Sequence, residues 1–236
     1  MTPIPLTPWV KRLLIVLVVL FVLDLVALKL VGQSLSLFFG VLPSVPWQFW
    51  RLATYPFFHA ELMHLVFNAL VFYMIGSELE ALWGPKIFLS FTALTALSGG
   101  VVYLVLALLG VGTGALMIGS SGAIYGLLTA YGILFAERTM LFMMLFPIKA
   151  KYFVLLLGAI EFISTIFYSN SAAASACHLG GMITGFAYLL YLARVRQRGG
   201  GGKGTTRRKA NHLKMVHNAD RSNTDSNKRN TGPTFH

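Results

Sequence analysis

The stretch LLIVLVVLFVLDLVALKLV, residues 13–31, decides the fold class. A helix needs about 20 apolar residues to cross the roughly 30 Å hydrocarbon core of a bilayer. This run meets that length, interrupted only by Asp24 and Lys29. Lys11 and Arg12 precede it as the basic start of a signal peptide would, but no small-x-small cleavage site follows. It reads as a retained membrane span.

Composition points the same way. Of the 236 residues, 56% are hydrophobic and 11% charged, whereas a soluble domain carries about 25% charged residues. Residues 194–236 hold 11 of the 19 Lys and Arg and only two acids, Asp220 and Asp225. The formal charge of +11 therefore belongs mainly to an appendage, and it does not make the protein a nucleic-acid binder. Cys177 is the single cysteine, so no intrachain disulfide can form.

Working outward, six apolar stretches have the length of a span: roughly 12–32, 61–82, 86–110, 117–137, 150–169 and 173–193. Helix is forced, because an open sheet cannot satisfy its backbone in lipid. The expectation is an all-α polytopic membrane protein, a six-transmembrane-helix bundle. No internal repeat is visible, which weakens an inverted-repeat transporter reading.

Basic residues then set direction. Lys11 and Arg12, Lys86, the group Arg138, Lys149 and Lys151, and the basic tail all fall on one side, the cytoplasmic one. The other side receives Lys29, Arg51 and the charge-free link 169–175. Both termini are expected to be cytoplasmic. The organisation is thus a short N-terminus (1–11), a membrane domain (12–193) with a long outer loop (33–60), and a basic tail (194–236). The loop is apolar and aromatic, with Trp47, Trp50 and Phe57, and fits the membrane interface. The tail is Gly-rich and then polar, which fits disorder, free in solution or near anionic lipid.

Polar residues within a span are costly and so are candidates for function. Three groups gather at the outer ends of spans. The first is Gly119-Ser120-Ser121-Gly122-Ala123-Ile124-Tyr125-Gly126, opening the fourth span. Ser121, Gly122, Tyr125 and Gly126 share a helical face. Packing alone explains small residues at this spacing, and a nucleophilic serine is the other reading. The second group, at the start of the sixth span, places His178, Gly181 and Gly185 on one face. An imidazole above a glycine stripe could dock on the fourth span and deprotonate a hydroxyl, or it could simply hydrogen-bond two helices. The third group runs from His59 to Asn68 at the start of the second span. His64 and Asn68 lie four apart and could donate to an oxyanion or tie the outer loop to the bundle.

Zinc is disfavoured. His59 and His64 are five apart, about 140° around a helix, and Glu61 is misplaced for a metalloprotease helix. Cys177 adjoins His178 on the helix, so the two side chains cannot face each other. Asp24, Glu78, Glu80 and Glu161 read as interior braces, which leaves no acid for a triad.

Trp50-Arg51, the pattern H-x-x-x-x-H-x-x-x-N from His59 to Asn68, Gly119-x-Ser121-Gly122 and His178-x-x-Gly181-x-x-x-Gly185 occur in this order on the expected spans. Together, over about residues 50–190, they resemble the rhomboid family of intramembrane serine proteases. The resemblance implies a six-span rhomboid-like bundle without cofactor. In it Ser121 is the nucleophile, His178 the general base, and the Ser121 N–H, His64 and Asn68 the oxyanion hole. Tyr125 would stack on His178 in place of an orienting acid, and Trp50 and Arg51 would anchor the outer loop. Partners would be the bilayer and single-span protein substrates, cut at or near a transmembrane segment, often after a small residue. The absence of folded extra domains fits a prokaryotic plasma-membrane enzyme with its site open to the outer side. Movement of the fifth span or the outer loop would admit substrate. A catalytically inactive relative that binds membrane segments for quality control is the alternative, against which stand both Ser121 and His178.

Overall fold

The computed structural model describes residues 5–112, 114–142, 146–168 and 172–200. The chain divides into Met1–Ala193 and Arg194–His236. The tail expected to be disordered lies, from residue 201 on, outside the described residues, as do residues 169–171 of the outer link.

The opening run forms α1 (Pro8–Val31), started by Pro8 and stopped by Gly32, whose φ of 73° lets its N–H close onto the Leu28 carbonyl at 3.1 Å. Its first turn is capped from a distance. The Glu80 carboxylate accepts from the N–H groups of Trp9 (3.1 Å) and Val10 (2.9 Å) and from the Thr7 hydroxyl (2.5 Å). A carboxylate at a helix N-terminus satisfies orphan donors and complements the helix dipole. Most of the rest of α1 presents Val, Leu and Ile outward, as a lipid-facing span does.

The outer loop carries two short helices, α2 (Ser36–Phe39) and α3 (Trp50–Thr54), and a 3₁₀ turn, Tyr55–Phe57. Arg51 is its knot. Its buried guanidinium donates to the Leu37 carbonyl (2.7 Å), the Gly40 carbonyl (2.6 Å) and the Gln48 side chain. Trp47, Phe49 and Trp50 stand exposed around it, suited to an interfacial position. The Trp50 indole donates to the Phe38 carbonyl at 3.4 Å.

The second span is one continuous rod of three segments: α4 (Leu62–Val71), a π turn (Phe72–Gly76) and α5 (Ser77–Trp83). Gly84, at φ 77°, turns the chain into α6 (Pro85–Leu108). After a glycine-rich link comes α7 (Ser121–Leu134). A β-hairpin follows, β1 (Thr139–Phe142) antiparallel to β2 (Phe146–Lys149), then α8 (Ala150–Phe167) and α9 (Ala172–Gly200).

Among the described residues five helical segments have the length and apolarity to cross a membrane. The fourth expected span is shorter than 117–137, because α7 has only 14 residues. Residues 114–120 are not helical, and Met117 pairs with Val41 of the outer loop through two 2.9 Å backbone bonds. At 1.5 Å per residue α7 measures about 21 Å, short of the roughly 30 Å core of a bilayer. The hairpin was not anticipated. It is fixed outside the helices, where Lys149 (2.6 Å) and Lys151 bind Glu137 and hold its carboxyl down to about 2.

Asp24, Glu78 and Glu80 act as ties. Asp24 accepts from the Ser34 hydroxyl (2.8 Å), Glu78 meets Tyr131 (3.2 Å) and Arg138, and Glu80 caps α1. Glu161 belongs elsewhere.

A single ammonium cannot replace the forked Arg51 donor. Arg51→Lys is expected to destabilise the fold by about 1–3 kcal/mol, since it strands buried carbonyls, and to speed proteolysis within residues 33–60. Limited digestion with a melting curve checks this, and unchanged values for both would contradict it.

Candidate active site

Three glycine contacts bring the site together. A β-carbon on Gly181 of α9 would sit inside contact distance of the Gly122 carbonyl oxygen of α7 and 2.9 Å from its carbonyl carbon. One on Gly185 would lie 3.0 Å from the Gly126 oxygen, and one on Gly126 would lie 2.6 Å from Thr95 of α6. Helix α9 therefore touches α7 backbone to backbone, and α7 rests at Gly126 on a threonine side chain of α6, as small residues allow in a membrane.

Across this seam the Ser121 hydroxyl lies 2.8 Å from Nε2 of His178. Ser121 is the first residue of α7, and two further residues bear on its histidine partner. Tyr125, one turn along α7, stacks flat on the imidazole with centroids 4.1 Å apart and planes 6° from parallel. On the far edge of the ring, Oε1 of Glu161 approaches Nδ1 to 3.0 Å. The approach is close, although the N–H is not aligned on that oxygen as in a good hydrogen bond. The Tyr125 hydroxyl donates to the same Glu161 oxygen. The expectation that no acid lies beside His178 is thereby corrected: Tyr125 stacks on its ring and the Glu161 carboxylate lies at its edge.

Gly119 enters α7 at φ 114°, a conformation that favours glycine, and its N–H is held by the Tyr55 carbonyl at 3.1 Å. A β-carbon there would lie 2.6 Å from Cε1 of the His64 ring, so the ring rests on the turn that presents Ser121. Asn68 is buried on α4, one amide N–H going to the His64 carbonyl at 3.0 Å. The early N–H groups of α7 precede its first α-helical bond, from Ile124 to Ser120. They and His64 are donors that could serve a developing negative charge near Ser121. Trp50 and Arg51 lie in the outer loop, and Arg51 fastens it.

Two features escaped the sequence. One is Glu161, about 17 Å along α8 from its start, on a face that spacing alone could not assign. The other is a second pair, His59 Nε2 to Ser120 Oγ at 3.3 Å, both buried behind the site. Burial and the neighbouring His64 ring hold the His59 imidazole down to about 4, leaving it neutral. The repeat of histidine at His59 and His64 hinted at this cluster, whose rings meet edge to face at 5.0 Å. Among the described residues no group of three metal-binding side chains assembles.

Spans of this length, with polar groups gathered at one end, define an integral, multi-pass membrane protein. A model of the Rhomboid domain matches residues 46–195, and the chain belongs to the rhomboid family. It is 27% identical to YdcA of Bacillus subtilis, a protein named for the rhomboid proteases, over 64% of this chain and 71% of that one. It is 27% identical to the rhomboid protease GlpG of Haemophilus influenzae, over 63% and 72%. The mitochondrial rhomboid protein 1 of Saccharomyces cerevisiae is 28% identical over 60% of this chain and 41% of its own length.

Gly181→Ala must push α9 off α7, so it is expected to cost about 1–3 kcal/mol and to widen the Ser121–His178 gap. Unfolding in a graded detergent mixture checks this, and wild-type stability would show that the seam is looser than drawn.

Proposed function

We propose that this protein is an intramembrane serine endopeptidase that cuts transmembrane segments of single-span membrane proteins with a Ser121–His178 dyad. The observation that carries the reading is the 2.8 Å contact between a hydroxyl and an imidazole at the half-buried start of a short helix.

His178 Nε2 takes the Ser121 proton as Oγ attacks the scissile carbonyl. The tetrahedral oxyanion is met by the Ser121 N–H, His64 and Asn68. Collapse passes the proton from His178 to the leaving amine and leaves an acyl-enzyme. Water, deprotonated by the same imidazole, then releases the second product. Gly122, Gly181 and Gly185 keep the two helices at working distance, Gly119 makes the turn that presents Ser121, and Trp50 and Arg51 hold the outer collar. No cofactor takes part.

The domain plan that goes with this activity is an N-terminus of residues 1–11, a catalytic membrane domain of 12–193 and a tail of 194–236. The basic residues favour cytoplasmic termini and a site open to the outer side of a prokaryotic plasma membrane. Water reaches the dyad through that opening. The substrate helix enters sideways and unwinds, since a peptide bond in an intact helix is hydrogen-bonded and shielded.

Purified protein should cleave a single-span reporter, and Ser121→Ala and His178→Ala should each abolish cleavage. His64→Ala or Asn68→Ala removes one oxyanion donor and should cost about 10²- to 10³-fold. Cleavage that survives Ser121→Ala defeats the mechanism. A folded wild type that binds the reporter without cutting it would make the protein an inactive membrane-segment binder.

A further inference from the structure

Glu161 is a carboxylate buried within a membrane helix, and such a group needs a partner that repays its desolvation. Among the described residues, the basic group within ion-pair range of it is His178. Its other neighbours are neutral: the Tyr125 hydroxyl from α7, and the Ser175 hydroxyl and Cys177 from α9. A brace between helices could be satisfied by Tyr125 alone. Here the same oxygen that receives the Tyr125 hydroxyl also faces Nδ1 of His178, and the Tyr125 ring covers that imidazole. The carboxylate therefore bears on the ring twice, lying 3.0 Å from Nδ1 and holding the hydroxyl of the stacked tyrosine.

We propose that Glu161 is a positioning residue for His178. Its carboxylate holds the Nδ1–H tautomer, which leaves Nε2 free to accept from Ser121, and it favours the imidazolium that forms when Ser121 loses its proton. The proton moves from Ser121 Oγ to His178 Nε2 and later to the leaving amine, and Glu161 remains ionised throughout. The assignment rests on the dyad reading above.

The consequence concerns α8. Its buried residues are Ala150, Val154 and Glu161, and only Glu161 belongs to its outer half. Leu155, Ile160, Phe162, Ile163 and Ile166 face outward. Glu161 is thus the polar tether between this part of α8 and the dyad. If α8 swings aside to admit a substrate, His178 loses its Nδ1 partner. Full catalytic alignment returns only when α8 docks again, so the dyad is at full strength with the helix closed.

The test uses the full chain in lipid nanodiscs with a single-span reporter, comparing wild type, Glu161→Gln, Glu161→Leu and Ser121→Ala. Removing the carboxylate should lower kcat by about 10²-fold in Glu161→Leu and leave KM within about twofold. Glu161→Gln keeps an acceptor but no charge, and should lose about tenfold in kcat. It also decides the matter if the leucine variant fails to fold. An unchanged kcat in folded Glu161→Gln overturns the proposal, as does a rise in KM with kcat retained, which would make Glu161 a brace on the substrate side. Cleavage by Ser121→Ala would instead defeat the dyad itself, so the two failures are separable.

Discussion

Backbone contact between α7 and α9 is the constraint on which the rest depends. A side chain at Gly181 would strike the Gly122 carbonyl, and one at Gly185 would crowd Gly126. Because both positions lack β-carbons, the helices approach closely enough for a serine on one and a histidine on the other to meet at 2.8 Å. In lipid, where hydrophobic burial does not drive helices together, such packing is a principal source of association. The seam that stabilises the bundle is therefore the same seam that sets the Ser121–His178 geometry.

The second constraint is depth. A serine at the start of a full-length span would sit at the membrane surface. Here the outer loop pairs with Met117, the chain turns at Gly119, and α7 begins only at Ser121. In the proposed orientation, the shortness of α7 places the hydroxyl within the bilayer. Arg51 keeps the loop in place above it, and the His59–Ser120 pair and the His64 ring back the turn. Polar groups at this depth are tolerable because they satisfy one another or line a protein cavity.

Much of this was legible in the residues. Apolar runs of span length marked the helices, and the glycine pairs four apart beside Ser121 (Gly122, Gly126) and beyond His178 (Gly181, Gly185) marked the faces that meet. Three things were not. The start of α7 moved from 117 to 121, because a backbone bridge to Val41 competes with the helix, and hydropathy does not register such a bridge. The β-hairpin formed on a connection whose apolar residues blend with the neighbouring spans. Glu161 was read as a brace. A lone acid in a span signals cost but not direction, and only the rotation of α8 about its axis decides whether it meets a histidine or a neighbouring helix.

Whether the hydroxyl is activated can be read without any substrate. Membranes holding the full chain would be treated with a fluorophosphonate, which bonds covalently to serines that a base makes nucleophilic, and the modified peptide located by mass spectrometry. The account expects an adduct on Ser121 in the wild type and none in His178→Ala. Equal modification of Ser121 in both, or none in the wild type, would contradict it.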